Sequence, residues 1–114
     1  MPDAQQIAEL KALFPNLSLA SEGGVEFVLI EQFTLPEHCQ PREVKVLLCP
    51  HDRDGYPSRL FLDQKVAHRG KGTNWNPNTG SHILGQTWWA VSWKTKAGLS
   101  LAQMVIDHLA AFRE

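Results

Sequence analysis

Cysteine is scarce in this chain. Cys39 and Cys49 are the only two among 114 residues, and they form no CxxC pair. That excludes a disulfide framework, a zinc ribbon and dithiol redox chemistry, and leaves free thiols as the expectation. Long apolar runs are missing too: none approaches the roughly 20 residues that a bilayer-spanning helix needs. The sequence opens Met1-Pro2-Asp3, without the basic and apolar regions of a secretory signal. A cytoplasmic protein that is not inserted in a membrane is therefore expected. Excess charge of either sign is absent, since the formal net charge is -1, so whole-protein electrostatics do not announce a nucleic-acid or anionic-membrane binder. Internal repeats and low-complexity tracts are absent as well. What remains is one domain of 43% hydrophobic residues, large enough to bury a core.

Within that neutral average the charges are segregated. Residues 1–40 carry Asp3, Glu9, Glu22, Glu26, Glu31 and Glu37 against Lys11 alone, whereas residues 64–106 carry Lys65, Arg69, Lys71, Lys94 and Lys96 with Asp and Glu absent. The basic segment would suit an acidic partner surface.

Hydrophobic periodicity divides the chain into elements. Ile7, Leu10, Leu13 and Phe14 recur at helical spacing, Asp3 is placed to cap the N-terminus with Gln6 as its capping-box partner, and Pro15 ends the helix. Val25, Phe27, Leu29, Glu31 and Phe33 alternate as one face of a strand whose other face is also partly apolar, which predicts a central position. Residues 44–48 predict a second strand antiparallel to it, residues 60–62 a short third, and residues 87–93 a fourth with Trp89, Val91 and Trp93 on one face. Between the first two, Pro36 and Pro41 cannot donate ladder bonds. His51-Asp52-Arg53-Asp54-Gly55-Tyr56-Pro57 is turn chemistry. Residues 67–84, rich in Gly and Asn, predict an 18-residue loop of the kind that carries function. Ser100 and Gln103 make a second capping box, opening a helix striped with Leu101, Met104, Val105, His108, Leu109 and Phe112. The expected fold is α+β: a two-layer sandwich of an N-terminal helix, an antiparallel meander sheet of about four strands, a long loop and a C-terminal helix. Its expected core is Ile7, Leu10, Phe27, Leu29, Val46, Leu48, Leu60, Trp89, Val91, Val105 and Leu109.

That element order, with the Gly55-Tyr56-Pro57 turn and then Asn76-Pro77-Asn78 with Gly80 beyond it, resembles the ubiquitin-conjugating-enzyme (UBC) fold. In that family a Tyr-Pro turn precedes a strand, and a His-Pro-Asn tripeptide precedes the catalytic cysteine. The resemblance covers most of the chain, from the first helix to the helix after the active site. Here Asn76 replaces the motif's histidine, cysteine is absent after Tyr56, and Gly85-Gln86-Thr87-Trp88 occupies the nucleophile's place. Neither a Gln amide nor a Thr hydroxyl supplies a thiolate's combination of nucleophile and leaving group. The resemblance therefore implies a catalytically inactive relative, like the conjugating-enzyme variants and RWD domains. It is similar also to conjugating-enzyme-like components of bacterial ubiquitin-like conjugation systems linked to antiphage defence. It implies a protein-interaction module that binds a ubiquitin-like protein or an active conjugating enzyme, with Tyr56 and Pro57 as its structural motif and Asn76 and Asn78 in the contact region.

Competing readings start from individual residues. Cys49, followed by Pro50 and His51, suggests a Cys/His nucleophile of a divergent enzyme, but a cysteine ending an apolar strand is more often a small core hydrophobe. Cys39 lies in a turn and is expected to be more exposed. His51, His68 and His82 with Asp52 and Asp54 are metal-ligand types without a compact spacing, and scattered histidines are more often solvated, so no metal is expected. No cofactor is expected either, because Gly70 and Gly72 fit no phosphate cradle. His108, on the apolar stripe, reads as a partly buried, hydrogen-bonded histidine. All four tryptophans fall within residues 75–93 beside the basic segment, where they could stack on single-stranded nucleic acid. The near-neutral chain makes that reading secondary to a protein interface in which Trp75 and Trp88 are exposed anchors and Lys65, Arg69 and Lys71 steer association.

Overall fold

The computed structural model describes residues 4–53, 55–68, 75 and 79–112. Helix α1 (Ala4–Leu13) is followed by strands β1 (Leu17–Glu22), β2 (Val25–Thr34), β3 (Cys39–Gln40), β4 (Glu43–Cys49), β5 (Arg59–Leu62), β6 (Ala67–His68), β7 (Ser81–Ile83) and β8 (Gln86–Trp88), and then by helix α2 (Leu101–Ala110). The expected α+β layout is present: an N-terminal helix, a four-stranded antiparallel sheet in the order β1-β2-β4-β5, and a C-terminal helix.

Strand β2 is central, as its two apolar faces predict, and pairs with β1 on one side and β4 on the other. Alternation along the strands divides the interior in two. Val28, Ile30, Val44, Val46, Leu48, Leu60 and Leu62 join Leu10, Leu101, Val105 and Phe112 of the helical layer, whereas Phe27, Leu47, Cys49 and Phe61 join Ile83 and Trp88 of the β7-β8 hairpin on the opposite side. Both faces of the sheet are thus covered. Every residue of the expected core is buried or half-buried.

Several expectations are corrected. The sheet's fourth strand is β1, which sequence periodicity overlooked because Leu17, Ser18, Leu19, Ala20 and Ser21 bury only one full side chain, Leu17. The 87–93 stretch is split between the β7-β8 hairpin and a strap in which Trp89 bridges Leu62 and Val91 bridges Trp75. Residues 67–84 are not one irregular loop, since β6 pairs with β3 and β7 with β8. Phe33 does not share a face with Phe27. A register shift between Ile30 and Phe33 sets two residues of β2, Glu31 and Gln32, against one of β4, Lys45, and this bulge moves Phe33 to the helical side with Val28 and Ile30. Leu13 is 60% exposed, outside the stripe assigned to it. Gln6 has a further role that the sequence did not suggest: its Oε1 accepts from the Leu101 N–H, tying α1 to the first turn of α2. Asp3 lies outside the described residues.

The capping box of α2 is present in full. Ser100 Oγ accepts from Gln103 N–H at 3.2 Å while Gln103 Oε1 accepts from Ser100 N–H at 3.0 Å. These bonds satisfy two donors at the helix entrance. Ser100→Ala is expected to lower unfolding free energy by about 1 kcal/mol, read as a reduced urea midpoint with an unchanged slope.

Candidate protein-interaction site

The turn after β4 closes as its sequence predicts. Arg53 and Tyr56 exchange two backbone hydrogen bonds of 2.9 Å across the Asp54-Gly55 pair, and Gly55 takes a φ of +86° that side chains disfavour. Tyr56 then hydrogen-bonds through its hydroxyl to Ser92 Oγ at 2.8 Å. Behind it lies Arg59, 1% exposed. Its Nη2 donates to the carbonyls of Val91 at 3.1 Å and Ala90 at 3.5 Å, and its guanidinium sits 4.3 Å over the Tyr56 ring and 5.6 Å from the Phe61 ring. A buried cation needs such acceptors and ring faces in place of water. Arg59 thereby fastens the Tyr56-Pro57 turn to the 89–92 strap. Reading the sequence by apolar periodicity missed it, because β5 looked like Leu60-Phe61-Leu62 alone.

On the other side of β5, Ser58, Thr95 and His108 form a sealed polar cluster. Ser58 Oγ lies 2.9 Å from His108 Nε2 and 3.0 Å from Thr95 Oγ1, and the three residues are 1%, 5% and 3% exposed. The Ser–His spacing is that of a nucleophile and its base, but the pair is closed to any substrate, and its work is to join β5 to α2. Burial lowers the His108 pKa to about 4, against Asp107, which raises it, and with Arg59, which lowers it. The histidine is therefore neutral at pH 7, as a hydrogen-bonded core residue.

The β7-β8 hairpin carries Gln86 and Thr87 at its tip and on its second strand. Its two-residue turn, Leu84-Gly85, has φ of +53° and +80°, the geometry of a type I′ hairpin. Leu84 is the sole non-glycine residue with positive φ among the described residues. Its N–H donates to the Glu22 carboxylate at 2.8 Å, and its side chain packs against the cluster beneath. Those contacts hold a leucine where glycine or asparagine is usual. Gln86 is exposed and Thr87 half-buried. Gly80, just ahead of the hairpin, has a φ of +86°, and a Cβ there would meet Thr87 Cγ2 at 2.6 Å, Trp89 Nε1 at 2.8 Å and the Trp88 carbonyl at 2.9 Å.

The expected site residues separate sharply. Trp75 and Trp88 are not exposed anchors: they are 9% and 2% exposed. Trp75 is held in the strap pairing, and Trp88 fills the core beneath the hairpin with its indole N–H on the Ile83 carbonyl at 3.0 Å. Burial takes both out of any base-stacking platform. Lys65 is exposed, while Arg69, Lys71, Asn76 and Asn78 lie outside the described residues. Cys39 is buried rather than exposed, at 2%, and burial raises its pKa. Cys49, 1% exposed, directs its thiol toward the His51 carbonyl at 3.8 Å, the environment of a small core hydrophobe. Asp54 lies outside the described residues, and among those residues no three His, Cys, Asp or Glu side chains gather as a metal site.

Sequence reading also missed a groove of about 430 Å³ along the outer side of α2, lined by Lys96, Leu99, Gln103, Ile106, Asp107 and Ala110. Ile106 is 58% exposed within it. Trp93 Nε1–H and the Lys96 N–H both donate to the Asp107 carboxylate, at 3.3 and 3.4 Å, and so fix one wall. Its signal was present in the sequence as an apolar residue, Ile106, off the buried stripe of the helix.

No protein family, curated protein or solved structure was found to match this chain. Two predictions come from the geometry. Gly80→Ala is expected to cost about 2 kcal/mol or more, measured by thermal unfolding, because it combines a left-handed backbone with contacts below 3 Å. The unfolded chain takes up its His108 proton near pH 6.5, whereas the folded one resists until about pH 4. The stability this supplies is complete above pH 6.5 and is lost as pH falls toward 4, by about 3 kcal/mol in all. His108→Gln, which keeps a partner for Ser58 but does not titrate, is expected to flatten urea-derived stability across that interval.

Proposed function

We propose that this chain is a non-catalytic protein-interaction module of the ubiquitin-conjugating-enzyme type, binding a ubiquitin-like protein or an active conjugating enzyme and positioning it for transfer. The observation that carries this reading is the arrangement around the Tyr56-Pro57 turn: a helix and three strands of the antiparallel sheet precede it and the fourth strand follows it, Arg59 fastens it to the strap, and a thiol-free hairpin with an exposed Gln86 stands where the resemblance expects a nucleophile. Cys39 and Cys49 are both buried, which supports positioning rather than thioester chemistry. The exposed features that suit a protein partner are Lys65, the hairpin tip and the Ile106 groove, an apolar residue rimmed by polar ones. The mechanism is then one of holding a partner's reactive carbonyl in place, with no covalent step on this chain. A setting in bacterial ubiquitin-like conjugation, including antiphage defence, follows from the same resemblance and belongs to the same proposal.

Two assays test it. Incubation with an activating enzyme, ATP and a ubiquitin-like protein is expected to leave this chain without a thiol-sensitive adduct; an adduct that disappears in Cys49→Ser would make it an enzyme instead. Tagged protein is expected to retain a ubiquitin-like protein or a conjugating enzyme, with binding weakened about tenfold or more in an Ile106→Glu, Lys65→Glu variant. Recovery of nucleic acid in place of such proteins would overturn the reading.

A further inference from the structure

The two edges of the main sheet are treated differently. Along β5, Leu62 and Trp89 exchange backbone hydrogen bonds of 2.7 and 2.9 Å, so the strap protects that edge. Along β1, among the described residues, no strand pairs with the outer side. Edge strands usually carry a lysine, a proline or a bulge that prevents further pairing. Strand β1 has none of these: its six residues are Leu-Ser-Leu-Ala-Ser-Glu, and the sheet's bulge lies inside, between β2 and β4. Among the described residues, three large apolar side chains are exposed, and two of them are Leu19 at 50% on the strand and Leu13 at 60% at the end of α1, four residues ahead of it.

We propose that β1 is a self-docking edge, along which two copies of this chain pair antiparallel about a two-fold axis at Leu19, joining their sheets. The register follows from geometry. Leu17, Leu19 and Ser21 face the helical side, because Leu19 lies opposite Val28 of the helical core. In an antiparallel pair, directly opposed residues share a face, so helical-side residues must meet helical-side residues. The register with Leu19 on the axis brings the exposed leucine against its own copy and sets Leu17 against Ser21. On the other face it sets Ser18 against Ala20, both small. The strand's single charge, Glu22, falls opposite the neutral Asn16, so like charges do not oppose across the ladder. The backbone also fits. Leu17 turns its N–H to the Phe14 carbonyl at 3.2 Å instead of toward β2, which by alternation leaves odd-numbered groups facing outward. Leu19 and its copy then exchange two hydrogen bonds, and each Ser21 N–H reaches the other copy's Leu17 carbonyl. An isologous pairing of this kind closes on itself and stops at two copies. It stands independently of the function proposed above.

Sedimentation velocity on the full chain is expected to show a reversible monomer–dimer equilibrium, with Leu19→Lys weakening it about tenfold or more, since a lysine at a shared edge opposes its own charge. Leu19→Cys tests the register directly. Its Cα atoms would stand about 5.5 Å apart across the axis, within disulfide reach, and both native cysteines are buried. Oxidation should cross-link Leu19→Cys at least about tenfold faster than Ser21→Cys, and circular dichroism should show all variants folded. A chain that stays monomeric at the highest attainable concentration, a dimer indifferent to Leu19→Lys, or equal cross-linking at both positions would overturn the proposal. If Leu19→Lys does not fold, the cysteine pair still decides.

Discussion

Burying a guanidinium obliges the surrounding chain to supply what water would have supplied, and Arg59 sets that condition at the centre of this fold. At 1% exposure it keeps its charge, so the Ala90 and Val91 carbonyls must turn toward it, and the Tyr56 and Phe61 rings must offer their faces. Satisfying Arg59 brings residues 56 and 89–92 together and so places the strap against β5. Pairing of Leu62 with Trp89 and of Val91 with Trp75 then follows along the same line. The neighbouring Ser58-Thr95-His108 cluster extends the polar seam toward α2, where neutral His108 avoids setting a second positive charge beside the first.

The parts of this architecture legible in the sequence are those fixed by local pattern. The 100–112 helix declared itself by a capping box and a complete stripe, β2 by apolar residues on both faces, and the Asp54-Gly55 turn by a residue pair suited to positive φ. What escaped depended on partners distant in sequence. Strand β1 has almost no apolar alternation of its own, because it is an edge with one face open, and its pairing is dictated by β2. Phe33 changed faces because a bulge at Glu31 and Gln32 is set by pairing with β4, whose Val44 stands opposite Phe33 from 11 residues further along the chain.

The candidate site was less legible than the fold for the same reason. Aromatic residues beside basic ones suggested surface anchors, yet Trp75 and Trp88 are core residues, Trp75 in the helical-side cluster and Trp88 beneath the hairpin. Arg59 was not singled out at all, because the apolar run begins at Leu60, and it proved to be the internal fastening. Ile106, which breaks the helical stripe by lying outside it, carried information that a search for continuous patterns discards. That cysteine is absent after Tyr56 is visible without coordinates. The strained Leu84 turn and its hold on Glu22 were not visible, because backbone conformation at a leucine leaves no compositional trace.

The order in which contacts can open also follows from this layout. Strands β1, β2, β4 and β5 lie in the sheet in the order in which they follow along the chain, with only the two-residue β3 between β2 and β4, so the sheet is closed by short connections. The strap is held to it by the Leu62–Trp89 bonds and by Arg59, α2 by contacts such as Ser58 to His108, fifty residues distant in sequence, and the hairpin tip by the bond that the Leu84 N–H donates to the Glu22 carboxylate. Amide protons of β2 and β4 should therefore exchange only with global unfolding, while those of the hairpin and strap are free to exchange through a smaller, local release. The hairpin tip, one of the features offered to a partner in the proposed function, is thus a part of the molecule that can yield without dismantling the sheet.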